Sequence, residues 1–290
     1  MTITAGQTRP GLHAGVSLES YLRWPILSQT VLKEGRASMA HLHAAELEER
    51  SKIPTDAMLL GSALHVCFLE PEQMPGRVVL WEGPRRAGAE WKAFLAEHGA
   101  KVILTAGMYE NLVGMVQSLR RAKFVRAWSG RIQDVEVAAV GEVCGIEMKG
   151  RCDALTEDPL VDLKKVRSAD PRAITRAAID YGYHVQAWVY LQLFQRDRFV
   201  LVCVEDQPPY DVVPYELSPA FVRAGESIGR RLLAQYKECQ ASGVWPGRGD
   251  EVVTLEPPEW ISDEPAHVSA DTESVVMLGG VDPFETGEAA

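Results

Sequence analysis

The chain has 290 residues and 32.0 kDa, with 46% apolar, 24% charged and 8% aromatic positions, enough to bury a sizeable core in one large or two small domains. No apolar run approaches the roughly 18 residues of a membrane span, and the first fifteen residues lack the charged-then-apolar layout of a signal peptide. The net charge of −10 is uneven: eleven Asp or Glu and no Lys or Arg fall between Gly249 and Ala290, which leaves residues 1–248 at +1 and open to a polyanionic partner.

In chain order, Ser28 and Thr55 read as N-caps of helical stretches near 28–50 and 55–69. Residues 77–104 alternate short apolar runs with a polar helix around Trp91. A long helix is expected from Thr105 to Trp128, and its distal end carries Arg120, Arg121, Lys123 and Arg126. The period then changes to two in 133–140, 146–155 and 160–166, with a break at Thr156–Pro159. Helices follow at 171–180 and 183–195, strands at 199–205 and 210–216, and a helix at 218–241. This order predicts an α+β or α/β core with a mixed sheet. Three segments are expected: a flexible stretch at 1–20, the folded domain at 21–260, and a disordered acidic tail at 261–290.

Five cysteines (Cys67, Cys144, Cys152, Cys203, Cys239) form no CxxC, which argues against a disulfide framework or a Cys-type metal site and for a reducing, cytoplasmic setting. The chemistry concentrates between Ile146 and Val166. Strand alternation puts Ile146, Met148, Cys152 and Ala154 on one face and Glu147, Lys149, Arg151 and Asp153 on the other. Val161 and Leu163 alternate in the same way with Asp162 and Lys164. A hairpin turn centred between Glu157 and Asp158 sets Asp153 opposite Asp162, and Arg151 opposite Lys164. Directly opposed Cβ atoms sit about 4.5–5.5 Å apart, so the two carboxylates repel unless a cation lies between them. An all-oxygen site of this kind suits Mg2+. The same pattern also fits a charged, solvated sheet face.

Asp153-x8-Asp162-Leu163-Lys164 resembles the PD-(D/E)xK nuclease motif. GIEMKGRCDAL, LVDLKK and YGYHVQAWVYLQ, with GSALHVCFLEPE upstream, resemble the RecE-type phage exodeoxyribonucleases, relatives of lambda exonuclease and the RecB nuclease domain. The resemblance runs from Tyr21 to Trp260. It implies a restriction-endonuclease-like core, a mixed central sheet flanked by helices. It also implies metal-binding roles for Asp153, Asp162, the Leu163 carbonyl and His65, and a water-positioning, charge-stabilising role for Lys164. Glu136 matches the upstream acidic position of the family, and Gln186 and Tyr190 match its QxxxY helix, one face of which could meet the scissile phosphate or a DNA end. Where the family usually has Thr after Asp-Leu-Lys, this chain has Lys165, pointed away from Lys164 by strand alternation.

The expectation is therefore a Mg2+-dependent deoxyribonuclease, with Mn2+ able to substitute, digesting duplex ends 5′→3′. Arg120, Arg121, Lys123, Arg126 and Arg151 are candidate phosphate contacts. The resemblance further implies a ring-shaped homo-oligomer and a single-strand annealing protein as partner in phage recombination. The rivals are an endonuclease or single-strand nuclease on the same fold, and a catalytically silent DNA-binding protein. The chain has no GxxxxGK[ST] phosphate loop, which argues against a motor nuclease.

Overall fold

A computed structural model describes residues 10–47, 54–249 and 251–257. The chain begins with strand β1 (Gly11–His13), helix α1 (Leu18–Arg23), strand β2 (Leu27–Ser28) and the single-turn helix α2 (Gln29–Leu32). A 3-10 turn at Lys33–Arg36 leads to α3 (Met39–Leu47). Next come α4 (Asp56–Leu69), the short α5 (Met74–Arg77), β3 (Val78–Trp81), α6 (Gly88–His98) and β4 (Val102–Thr105). Helices α7 (Ala106–Arg121) and α8 (Lys123–Ser129) precede the meander β5 (Ile132–Val143), β6 (Ile146–Thr156) and β7 (Leu160–Val166). The chain then forms α9 (Pro171–Asp180), α10 (Tyr183–Phe194), β8 (Phe199–Glu205), β9 (Val212–Glu216) and α11 (Pro219–Ser242).

The main sheet runs β1-β5-β6-β7-β8-β9, with β2 also pairing β6; β2–β6 and β7–β8 are parallel and the remaining pairs antiparallel. A parallel neighbour needs a crossover, which α9 and α10 supply between β7 and β8. Helices cover both faces. One apolar cluster joins Met148, Cys152, Leu160 and Leu201 to α10 and α11, and another joins Ala154, Val161, Leu163 and Val202 to α4 and α7. That explains the continuous apolar run of β8, FVLVCVE, which has no solvent face.

Local chemistry sets most boundaries. The hydroxyls of Ser28, Thr55, Thr105 and Ser218 accept N-terminal amides of α2, α4, α7 and α11, and Asp170 caps α9 ahead of Pro171. Ala122 is extended and divides the helix expected over 105–128, turning Val125 and Trp128 into the cluster with Leu112 and Leu119. The stretch expected to be helical over 28–50 is broken at the 3-10 turn. Gly35 there packs so closely that a Cβ would lie 2.7 Å from Met39 Cε and 3.2 Å from Leu232 Cδ2. All five cysteines are free.

Three expectations need correction. Residues 10–20, expected to be flexible, instead form β1, paired with β5 at Gly11↔Val140, and the start of α1, whose Tyr21 packs with Trp24 on Ala138 and Val140. Ala154 does not share a face with Met148 and Cys152 but packs in the opposite cluster. The Arg151–Lys164 pairing is not made. The register Ala154↔Val161 is the one a turn between Glu157 and Asp158 dictates, but farther along β6 the parallel partner is β2, at Leu27↔Met148 and Ser28↔Lys149. Strand β7 thus leaves β6 just beyond Asp153 and Asp162. The acidic tail at 261–290 lies outside the described residues; residues 251–257 are exposed and without regular structure.

Helices α10 and α11 meet through glycine: a Cβ on Gly225 would lie 2.0 Å from the His184 carbonyl oxygen. Gly225→Ala must therefore push two helices apart and is expected to cost about 3 kcal/mol, a fall in Tm of roughly 6–12 °C. Gly107→Ala, with nothing within 4 Å of the added methyl, serves as the control in the same thermal scan and should not destabilise.

Candidate active site

Beside β5 and β6 lies a cleft of about 460 Å3, lined among others by Leu18, Tyr21, Gly61, Ser62, His65, Glu136, Arg151, Asp153 and Tyr190. Its acidic floor comes from an irregular rung. Register pairs Val135 with Ala154 and Val137 with Cys152, so Glu136 and Asp153 face each other between them. In a regular strand residues 135 and 137 share a face. Here Val135 packs with the α4–α7 cluster and Val137 with the α10–α11 cluster, and Cys152 and Ala154 divide likewise. Glu136 takes a φ of 52°, a conformation a non-glycine side chain adopts at a cost. Both strands exchange faces at this rung, and its two carboxylates come to one opening.

His65 reaches the rung from α4, on the same helix face as Gly61. Its Nδ1 lies 3.4 Å from Glu136 Oε1 and 3.6 Å from Asp153 Oδ1, and its Nε2–H donates to the Leu163 carbonyl at 3.1 Å. The Leu163 amide donates to Asp153 Oδ2 at 2.6 Å. One ligand atom from each of His65, Glu136 and Asp153 falls within 4.8 Å of the other two. Asp162 stands outside that trio: its Oδ1 accepts from Gln186 Nε2 at 2.7 Å, and its Oδ2 is ion-paired with Lys164 Nζ. Of the QxxxY pair, Gln186 therefore holds Asp162. Tyr190 accepts the Arg151 amide at 3.3 Å, and its ring packs against Phe194 and Phe199.

The electrostatics describe three largely buried carboxylates, Glu136, Asp153 and Asp162, answered by His65, Arg151 and Lys164. Burial pushes the Asp153 carboxyl up to about 7, opposed by His65 and reinforced by Asp162 and Glu136. Burial alone would neutralise His65, but Asp153 and Glu136 outweigh it and raise the imidazole to about 9. Glu136 is also penalised by burial, yet His65 and Arg151 hold it below the usual carboxylate range. Lys164 likewise overcomes its burial because Asp162 and Asp153 flank it, so its ammonium is held well above the ordinary lysine range. A donor set of two to three carboxylates, a backbone carbonyl and one imidazole, already recruiting positive charge from its own side chains, fits a divalent cation.

The basic residues are distributed differently from expectation. Arg151 is no free phosphate contact: its Nε donates to Glu136 Oε2 at 2.7 Å and its Nη1 to the Val16 carbonyl at 2.9 Å. Arg120, Arg121, Lys123 and Arg126 are exposed at the α7–α8 corner and do not line the cleft. Lys165 points away from Lys164, as alternation requires, and pairs with Asp206 at 2.7 Å. Lys149, which the sequence reading left without a role, is 2% exposed and donates to the carbonyls of Tyr21 at 2.8 Å and Trp24 at 2.6 Å. Lys149 and Arg151 together tie the N-terminal segment to β6 at the rim of the cleft. The signal for Lys149 was a lysine set directly before Gly150 in a strand buried on both sides.

A raised pKa stabilises a fold below the group's unfolded value and loses that contribution as pH rises through the folded value. Asp153 and His65 both have this sign. The metal-free protein should lose thermal stability progressively from about pH 5 to about pH 9. Millimolar Mg2+ or Mn2+ should raise Tm at the alkaline end and much less at the acid end. The rise should vanish in Asp153→Asn; an equal rise in that variant would place the cation elsewhere.

Among solved structures, an exonuclease candidate from Eubacterium rectale is 13% identical, with a TM-score of 0.58 over 85% of this chain and 96% of its own, and so shares the fold. LHK-Exo of Laribacter hongkongensis, solved in complex with dAMP, is 15% identical with a TM-score of 0.34 over 76% of this chain and 94% of its own. A phage related exonuclease from Haemophilus somnus 129PT is 11% identical, with a TM-score of 0.34 over 76% and 96%. No curated protein matches the sequence. Residues 28–256, most of the chain and the whole of the cleft's β-meander, match the PDDEXK-like domain of unknown function (DUF3799), and the chain belongs to that family.

Proposed function

We propose that the protein is a metal-dependent deoxyribonuclease that hydrolyses phosphodiester bonds at the ends of double-stranded DNA, digesting 5′→3′. The observation that carries this reading is the convergence of Glu136, Asp153 and His65 on one buried opening, beside the Asp162–Lys164 pair, in a PDDEXK-like fold. Asp153, Asp162, the Leu163 carbonyl and His65 would hold Mg2+, with Mn2+ able to replace it, and Glu136 would border it. A bound divalent cation supplies Lewis-acid polarisation of the phosphoryl oxygens and lowers the pKa of water.

The protein groups divide the remaining work. Lys164, ion-paired with Asp162 and flanked by Asp153, is held as an ammonium in the metal-free protein and would position water and donate to the phosphate. Gln186 fixes Asp162 through its Oδ1. Arg151 fixes Glu136, and Tyr190 anchors the Arg151 amide. In the reaction a water oxygen adds to phosphorus, the bond to the 3′ oxygen breaks, and one proton passes to that oxygen. None of these contacts reads a base edge, which favours cleavage without sequence preference. The family resemblance brings two further proposals: a ring-shaped homo-oligomer, testable by light scattering, and a single-strand annealing protein as partner.

End-labelled linear duplex incubated beside a covalently closed circle tests the reading directly. Mg2+-dependent loss of the linear DNA alone is expected, abolished by EDTA and by Asp162→Ala; cutting of the circle would indicate an endonuclease, and no cleavage with either metal a silent DNA-binding protein. Lys164→Ala should lower the rate by at least about a hundredfold, the scale of removing one transition-state donor, with little change in DNA-end binding. Turnover near that of the parent would remove Lys164 from the mechanism.

A further inference from the structure

The Lys164 ammonium lies 5.1 Å from the centre of the Tyr183 ring, and that ring lies 5.9 Å from Tyr181. Tyr181 is 61% exposed and lines a surface depression of about 450 Å3 together with Lys33, Glu34, Arg36, Ala37 and Asp180. Lys33 Nζ donates to the Tyr181 carbonyl at 3.4 Å and Arg36 Nη1 to the Asp180 carbonyl at 3.3 Å, which holds both cations at the C-terminal end of α9. Each contact uses a single donor of a group that has several. Among the described residues neither cation forms an ion pair, although Glu34 and Asp180 border the same depression. Burial first, and then the charges of Lys164 and Arg36 against that of Glu34, push the Lys33 ammonium down, so the three cations share one field. Gly182 permits the arrangement through its φ of 72°, a conformation that favours glycine.

We propose that Tyr181, Lys33 and Arg36 form a docking platform for unpaired DNA leading from the reaction centre, with a base stacked on Tyr181 and the flanking phosphates set against the two cations. The reasoning rests on the nuclease reading above. An exposed ring flanked by cations matches the general chemistry of single-strand binding, in which stacking tolerates any base and charge tracks the backbone. A duplex keeps its internal bases stacked on both sides and offers a free face only at its terminal pair, whereas every base of an unpaired strand can stack on Tyr181. The platform accordingly assigns single-strand contacts to the α2–α3 turn and the α9–α10 junction, and not to the basic α7–α8 corner.

The 290-residue chain in EDTA, with the cation removed, provides the test. A fluorescein-labelled oligothymidylate should bind the parent protein, and Tyr181→Ala should weaken binding about tenfold. Arg36→Ala should weaken binding and reduce the slope of log affinity against log salt by about 0.7. In Tyr181→Trp the introduced indole should be quenched by the oligonucleotide, a signature that a merely structural role for Tyr181 would not give. An unquenched indole together with parent-like affinity in both alanine variants overturns the platform, as does a parent that binds no oligothymidylate. If the alanine variants lose binding while the parent cleaves no DNA under any metal, the platform stands and the nuclease reading falls.

Discussion

The structure turns on two carboxylates buried on one rung. Glu136 and Asp153 face each other across β5 and β6, away from bulk water, where an uncompensated charge costs several kcal/mol. Three side chains answer that charge, two of them from other elements. His65 comes from α4, Arg151 from two residues upstream of Asp153 on the same strand, and Lys164 from β7, balancing the neighbouring Asp162. Remove the rung and His65 has no reason to be protonated, nor Arg151 to turn inward. The rung also explains the helix placement, since α4 must approach β5 closely enough for an imidazole to bridge both acids and the Leu163 carbonyl.

Strand β6 organises both the site and its border. Alternate residues do different work: Met148 and Cys152 build the core, while Lys149 and Arg151 reach the N-terminal segment. A lysine is costly to bury, and Lys149 offsets the desolvation by donating to the Tyr21 and Trp24 carbonyls at the end of α1, each of which also accepts one backbone amide. Helix α1 then supplies Leu18, Tyr21 and Leu22 to the cleft wall. The cleft is thus walled by α1 and α4 and floored by Glu136 and Asp153 of β5 and β6.

Much of the architecture was legible in local signals. Hydroxyl caps at Ser28, Thr55 and Ser218 start helices where expected, and Asp170-Pro171 starts α9. The Thr156–Pro159 break fixes the hairpin register that brings Ala154 opposite Val161, and so Asp153 beside Asp162. The apolar run at 199–205 reads as a doubly buried strand because nothing polar interrupts it. The signals failed where the chain breaks its own period. Alanine at 122 is no helix-stop signal, and Gly35 lies in a 3-10 turn packed against Met39, Leu42 and, almost two hundred residues away in sequence, Leu232 of α11.

Most elements, the hairpin turn and the residue types gathered near it follow from period, caps and loop length acting over a few neighbours. The family resemblance of the sequence pointed to the same residues. Only the tertiary structure decided where those side chains go. The exchange of faces at Glu136 and Asp153 depends on one positive φ that strand alternation cannot anticipate. The inward turn of Arg151, the separation of Asp162 from the His65 trio, and the burial of Lys149 under α1 each depend on a partner from another element. Such choices are made by the cost of leaving a buried charge alone, and that cost exists only once the chain has folded around it.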